Sequence, residues 1–149
     1  MTESEELYKD IADTVSGIGL ALVDLSVSRT KGGATRAFAV VYGTAGTGID
    51  ECARAHRLIQ ARLEAVLGES DFHLETASPG IDRTIKSSRE YGIFIGRGVR
   101  LFFDDASELC GRIVSFDGST VVIATPDGDQ SISLTSIRKG KLDYSQEGR

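Results

Sequence analysis

Tryptophan is absent from these 149 residues, methionine occurs once, and cysteine, histidine and proline occur only twice each. Each scarcity removes a class of chemistry. Cys52 and Cys110 stand far apart with no CxxC spacing, which argues against a disulfide framework or a zinc site and points to a reduced, cytoplasmic setting. His56 and His73 are the side chains whose ordinary pKa lies near neutrality, and neither has a Cys or Ser beside it in a nucleophile motif. No apolar run reaches the roughly eighteen residues of a membrane-spanning helix. Met1 to Tyr8 is acidic and polar, without the basic-then-apolar order of a secretory signal.

What is present is an ordinary globular composition, 40% hydrophobic and 26% charged, long enough for one domain or two small ones. The net charge of -5 disfavours indiscriminate nucleic-acid binding. Its distribution is uneven. Residues 1–85 hold eight basic and thirteen acidic side chains, whereas 86–149 hold nine of each. Between Arg83 and Arg100 lie Arg83, Lys86, Arg89, Arg97 and Arg100 against the single acid Glu90, a basic belt at the middle of an acidic chain.

Periodicity divides the chain. Thr2 and Glu5 have capping-box spacing, and Leu7, Ile11, Val15 and Ile18 recur at helical intervals until Gly17 and Gly19 end the helix. Val23, Leu25 and Val27 then alternate with polar residues. Lys31-Gly32-Gly33 turns the chain, and Phe38, Val40 and Tyr42 mark a second strand. A second helix carries Ile49, Cys52, Ala53, Ile59, Leu63, Val66 and Leu67 on one stripe, with Asp50 and Glu51 in its first turn. Phe72, Leu74 and Thr76 form a third strand. After a polar connection, helical at most from Lys86 to Tyr91, the pattern is all-β: Val99 to Phe103, Leu109 to Phe116, the Asp117-Gly118 turn, Val121 to Ala124, the Pro126-Asp127-Gly128 turn, Ile132 and Leu134, then Ile137 to Leu142. The fold class is therefore α+β: a two-helix, three-strand sandwich followed by a small five-stranded barrel. The expected boundaries are 1–82 for the first domain, 83–96 for a connection and 97–149 for the second, with only the last few residues disordered.

Candidate chemistry is sparse. His56, beside the apolar stripe, reads as a packed, hydrogen-bonded histidine, and His73 as a surface residue. Cys52 and Cys110 read as small buried side chains rather than nucleophiles. Gly43 to Gly48 precedes a helix but lacks the lysine of a phosphate loop, and Asp50 and Glu51 would repel a phosphate there. Asp104, Asp105 and Glu108 read as a solvated turn. Arg54, Arg57 and Arg62 read as a solvated helix face, with a contact surface as the alternative. No catalytic constellation, cofactor site or metal site emerges, so the chain is not expected to be an enzyme or to take a small-molecule substrate.

The distinctive segment is Leu74-Glu75-Thr76-Ala77-Ser78-Pro79-Gly80-Ile81-Asp82-Arg83. Pro79 fixes its own backbone and disfavours helix at Ser78, Gly80 permits a positive φ, and Asp82 is placed to pair with Arg83 or to cap nearby amides. This corner resembles the Ser-Pro-Gly-hydrophobic-Asp-Arg signature of the RimP family of bacterial ribosome maturation factors. Three further segments resemble the family in the same order: Gly19 to Asp24, Gly48-Ile49-Asp50-Glu51-Cys52, and Phe94-Ile95-Gly96-Arg97-Gly98-Val99. Two departures stand out: Thr84 where family members usually carry a second proline, and no acid at the end of the second strand, Val41-Tyr42-Gly43.

The resemblance implies a KH-like first domain and an Sm- or SH3-like barrel. It also implies a cytoplasmic, non-catalytic protein that binds the free 30S ribosomal subunit during maturation, including a small-subunit ribosomal protein. The binding surface expected from the corner and the belt comprises Ser78, Pro79, Gly80, Asp82, Arg83, Lys86, Arg89, Arg97 and Arg100, meeting a basic ribosomal protein and rRNA phosphate. The alternative for the belt is internal pairing with the acidic first domain. No membrane association is expected, and a monomer suffices. The rival reading is a free-standing RNA-binding module acting on transcripts, which the negative charge, absent tryptophan and missing GXXG clamp disfavour.

Overall fold

The computed structural model describes residues 3–68 and 71–147, so the cap expected at Thr2 lies outside it. The chain divides into two compact units, Met1–Pro79 and Gly80–Arg149.

The first unit runs α1 (Glu3–Ser16), β1 (Ala21–Arg29), β2 (Thr35–Tyr42), α2 (Ile49–Leu67) and β3 (Phe72–Ala77). Its sheet has the order β1-β2-β3. β1 and β2 form an antiparallel hairpin, whereas β2 and β3 are parallel. Parallel neighbours need a long crossover, and α2 supplies it. Both helices lie on one face, where Ile11 and Val15 of α1 and Ala55, Ile59 and Leu63 of α2 meet Leu22, Ala37, Ala39, Val41 and Leu74 of the sheet.

That core corrects the sequence reading in three places. A bulge in β1 pairs Leu22 with Val41 and Asp24 with Val40, leaving Val23 unmatched. One extra residue inverts the alternation, so Leu22 joins the helix-covered face. In β2 that face carries Ala37, Ala39 and Val41, while Phe38 is 38% exposed; the helices approach over small side chains and leave the larger one on the far side. In α2, Ala55 is buried but Ile49 is 88% exposed, because the stripe that meets the sheet begins one turn later at Cys52.

The second unit begins with a single helical turn, α3 (Glu90–Ile93), followed by β4 (Gly98–Phe103), β5 (Glu108–Phe116), β6 (Thr120–Thr125), β7 (Gly128–Ser133) and β8 (Ile137–Leu142). The sheet order is β7-β6-β5-β4-β8. The last strand thus returns beside the first, as in a small barrel. Val99, Leu101, Ile113, Val121, Ile123 and Leu142 alternate inward as its core, with Phe94 also fully buried. The Asp117 carboxylate accepts the amides of Ser119 and Thr120 at 2.9 and 2.8 Å, which explains the tight β5–β6 turn. Pro126 and Asp127 form the next two-residue loop, across which Thr125 pairs with Gly128. At the end of the chain, Tyr144–Gln146 is a 3-10 turn and Glu147 is hydrogen-bonded; the disorder expected for the last few residues otherwise falls on Gly148 and Arg149, which lie outside the described residues.

Candidate functional site: the corner and its ion-paired belt

Pro79 ends the first unit and Gly80 begins the second, with φ +78° at Gly80, the left-handed conformation that its lack of Cβ permits. Ser78, Gly80, Ile81 and Asp82 are exposed. The chain then pairs with the outer edge of β8: Leu142 N–H donates to Arg83 O and Ile85 N–H to Gly140 O, both at 2.8 Å, with Thr84 opposite Lys141. A short extended piece thereby covers what would otherwise be an open strand edge.

Arg83 turns inward. Its Nε donates to Glu90 Oε1 at 2.8 Å and its Nη2 to Glu90 Oε2 at 3.2 Å. The same Oε2 accepts the amides of Lys86 and Ser87 at 3.1 Å and the Ser87 hydroxyl at 3.2 Å. Side-chain exposure is 9% for Arg83 and 0% for Glu90. A carboxylate removed from water is tolerable only when its charge is paired and its lone pairs are used, and Glu90 meets both conditions. The corner's arginine therefore pairs with Glu90, not with the adjacent Asp82.

Next to this pair Tyr91 is buried, and burial, then the Glu90 charge, pushes its pKa up to about 12. A Cβ at Gly140 would lie 2.2 Å from the Tyr91 hydroxyl oxygen. Glycine in β8 is thus what lets the ring pack against the strand.

Arg97 and Arg100 are also engaged inside the second unit. Arg97 Nε donates to Glu147 Oε2 at 2.9 Å, and the same oxygen accepts Gly98 N–H at 3.0 Å. Arg100 donates to Glu108 at 2.8 Å and to Asp143 at 3.2 Å, and these bonds, Glu108 first, raise its pKa. The acids described as pairing with Arg83, Arg97 and Arg100 are Glu90, Glu147, Glu108 and Asp143. Lys86 and Arg89 carry exposed side chains. Asp82 and Arg100 line one shallow cleft of about 360 Å³ together with Ile81, Phe102, Lys141 and Tyr144, while Lys86 lines a smaller one of about 180 Å³.

The remaining candidates have structural partners. His56 Nδ1 is 3.0 Å from Thr76 Oγ1, tying α2 to β3, and His73 lies 3.3 Å from Glu75 on the surface. Arg62 reaches across to α1, donating to both oxygens of Asp10 at 2.6 and 2.8 Å, while Arg54 and Arg57 are exposed. Burial is the leading cause that raises the pKa of both cysteines, so neither is held as a thiolate. Asp105 is bonded to Ser107 and Glu108 to Arg100, so the β4–β5 turn acids do not converge. Gly48 N–H donates to Glu51 Oε1 at 2.7 Å, filling the helix start where a phosphate would sit.

Glu90 is the residue the sequence reading passed over. The one acid among five cations, it is buried and anchors Arg83.

A profile of the RimP N-terminal domain matches residues 10–82. Ribosome maturation factor RimP of Borrelia hermsii is 30% identical over 142 residues, covering 95% of this chain and 97% of that protein. The chain belongs to the RimP family. Ribosome maturation factor RimP of Borrelia garinii subsp. bavariensis is 29% identical over 140 residues, covering 94% and 95% of the two chains, and that of Borrelia turicatae is 30% identical over 140 residues, covering 94% and 96%. The likeness to these RimP proteins runs through both units, the corner included.

Proposed function

We propose that this chain is a ribosome maturation factor that binds the immature 30S subunit and assists its assembly without catalysing a reaction. It acts as a cytoplasmic monomer that contacts a small-subunit ribosomal protein and nearby rRNA. The observation that carries the reading is the end-to-end likeness to proteins named ribosome maturation factor RimP. Charge supports the partner types: an acidic first half complements a basic ribosomal protein, and exposed cations at Lys86 and Arg89 suit phosphate. The corner residues Ser78, Pro79, Gly80 and Asp82 belong to the proposed surface, whereas Arg83, Arg97 and Arg100 act in it chiefly by holding their loops.

Sucrose-gradient sedimentation of the purified chain with isolated subunits tests this. Co-migration with free 30S, and not with 50S, is expected at physiological salt, where contacts to naked RNA are screened. Migration with any RNA irrespective of subunit would instead favour a transcript-binding module.

A further inference from the structure

We propose that the small cleft between the 83–91 segment and β8 is a binding site for a sugar–phosphate unit of single-stranded RNA, with Arg138 and Lys86 as its phosphate ligands. The cleft, about 180 Å³, is lined by Lys86, Ser88, Tyr91, Leu134, Ile137 and Arg138 among others, and none of its described lining residues is acidic. Drug-sized ligands occupy roughly 300 Å³ or more, so this volume admits one small polar unit of a longer chain. Glu90 is the nearby acid in sequence, and its oxygens are consumed by Arg83, two amides and Ser87. The cleft is therefore locally cationic in a chain of net charge -5. Two cations lining one cleft give a polyanion a favourable local potential.

An independent feature singles out Arg138. Phe102 pairs with Lys139 and Phe103 with Ile137, so Arg138 is the unmatched residue of a β8 irregularity. Such an insertion re-aims a side chain away from the ladder, and Arg138 lines the cleft. Its planar donor fork matches phosphate oxygens better than an ammonium does. Ser88 adds a hydroxyl, and Leu134 and Ile137 offer an apolar wall to a sugar or base. Carboxylates of an acidic peptide share the charge but gain less from that wall, so RNA is the favoured occupant. This inference rests on the ribosomal reading, which supplies an RNA-rich partner.

The test is the salt dependence of binding between the full chain and a short labelled single-stranded RNA, read by fluorescence anisotropy. Each phosphate contact contributes about 0.7 to the slope of log affinity against log salt for single strands. Arg138→Ala should lower the slope by about that amount and Arg138→Lys should largely restore it. Ser88→Asp, which puts a negative charge in the cleft, should weaken binding several-fold. An unchanged slope in Arg138→Ala, no binding by the unaltered chain at low salt, or a polyglutamate peptide that competes as well as RNA would each overturn the assignment. If the unaltered chain still sediments with 30S in that event, the cleft alone has failed and the ribosomal reading stands.

Discussion

Glu90 shows how a residue's role can be invisible in its type. Its carboxylate satisfies a guanidinium, two amides and a hydroxyl with no solvent access. Glu90→Ala removes the carboxylate that meets the buried Arg83 guanidinium, a change that costs about 3–5 kcal/mol. Urea unfolding should register a loss of that order, and Arg83→Ala with Glu90→Ala should cost less than the two separate losses combined. Tyr91 gives a pH signature at the other extreme. Its folded pKa, raised to about 12 from the ordinary 10, means that the unfolded state releases its proton first as pH rises. The stabilisation is intact below pH 10, and is lost as pH climbs through about 12. Tyr91→Phe should flatten the alkaline limb of a stability–pH curve measured by denaturant titration; an identical limb would show that Tyr91 is not its source.

At the scale of elements, helix and strand existence was legible because periods of 3.6 and 2 are strong signals, and the turn residues Asp117, Gly118, Pro126 and Asp127 stand where the structure turns. Which residues faced the core was less legible. The β1 bulge at Val23 and the alanine face of β2 depend on pairing register, which a single strand's pattern does not contain. The pairing of the corner is similar: Arg83 and Glu90 meet only because residues 83–85 add to β8 and the chain turns back. Two contacts between elements can be tested. Gly140→Ala puts a methyl group against the Tyr91 hydroxyl oxygen and should destabilise by about 1–3 kcal/mol. Adding Tyr91→Phe should recover part of the loss, and thermal unfolding of the single and double variants measures the coupling. Asp10 joins α1 to α2 through Arg62, and the hydrogen bond from that guanidinium is the main cause holding its carboxyl below the ordinary 3.8. Because the folded pKa is the lower one, this contribution is present above pH 3.8 and disappears as pH falls through the depressed value. Asp10→Asn should therefore weaken the acid-limb dependence, modestly, since the pair is partly solvated.

For the whole molecule, charge is the informative quantity. The chain is acidic overall, yet Lys86, Arg89 and Arg138 of the second unit are exposed. Reversing two of them, Lys86→Glu with Arg89→Glu, should weaken association with 30S in a gradient while circular dichroism stays unchanged. The family was legible in sequence, through the Ser78–Arg83 corner and its three companion segments. The belt's inner architecture was not, because ion pairs between residues fifty positions apart, such as Arg97 and Glu147, leave no local pattern. The most direct measurement of the central claim is the ribosome profile of the source cell after this chain is depleted. Free small subunits carrying unprocessed rRNA ends should accumulate while 70S ribosomes fall; an unchanged profile with fully processed rRNA would contradict the account.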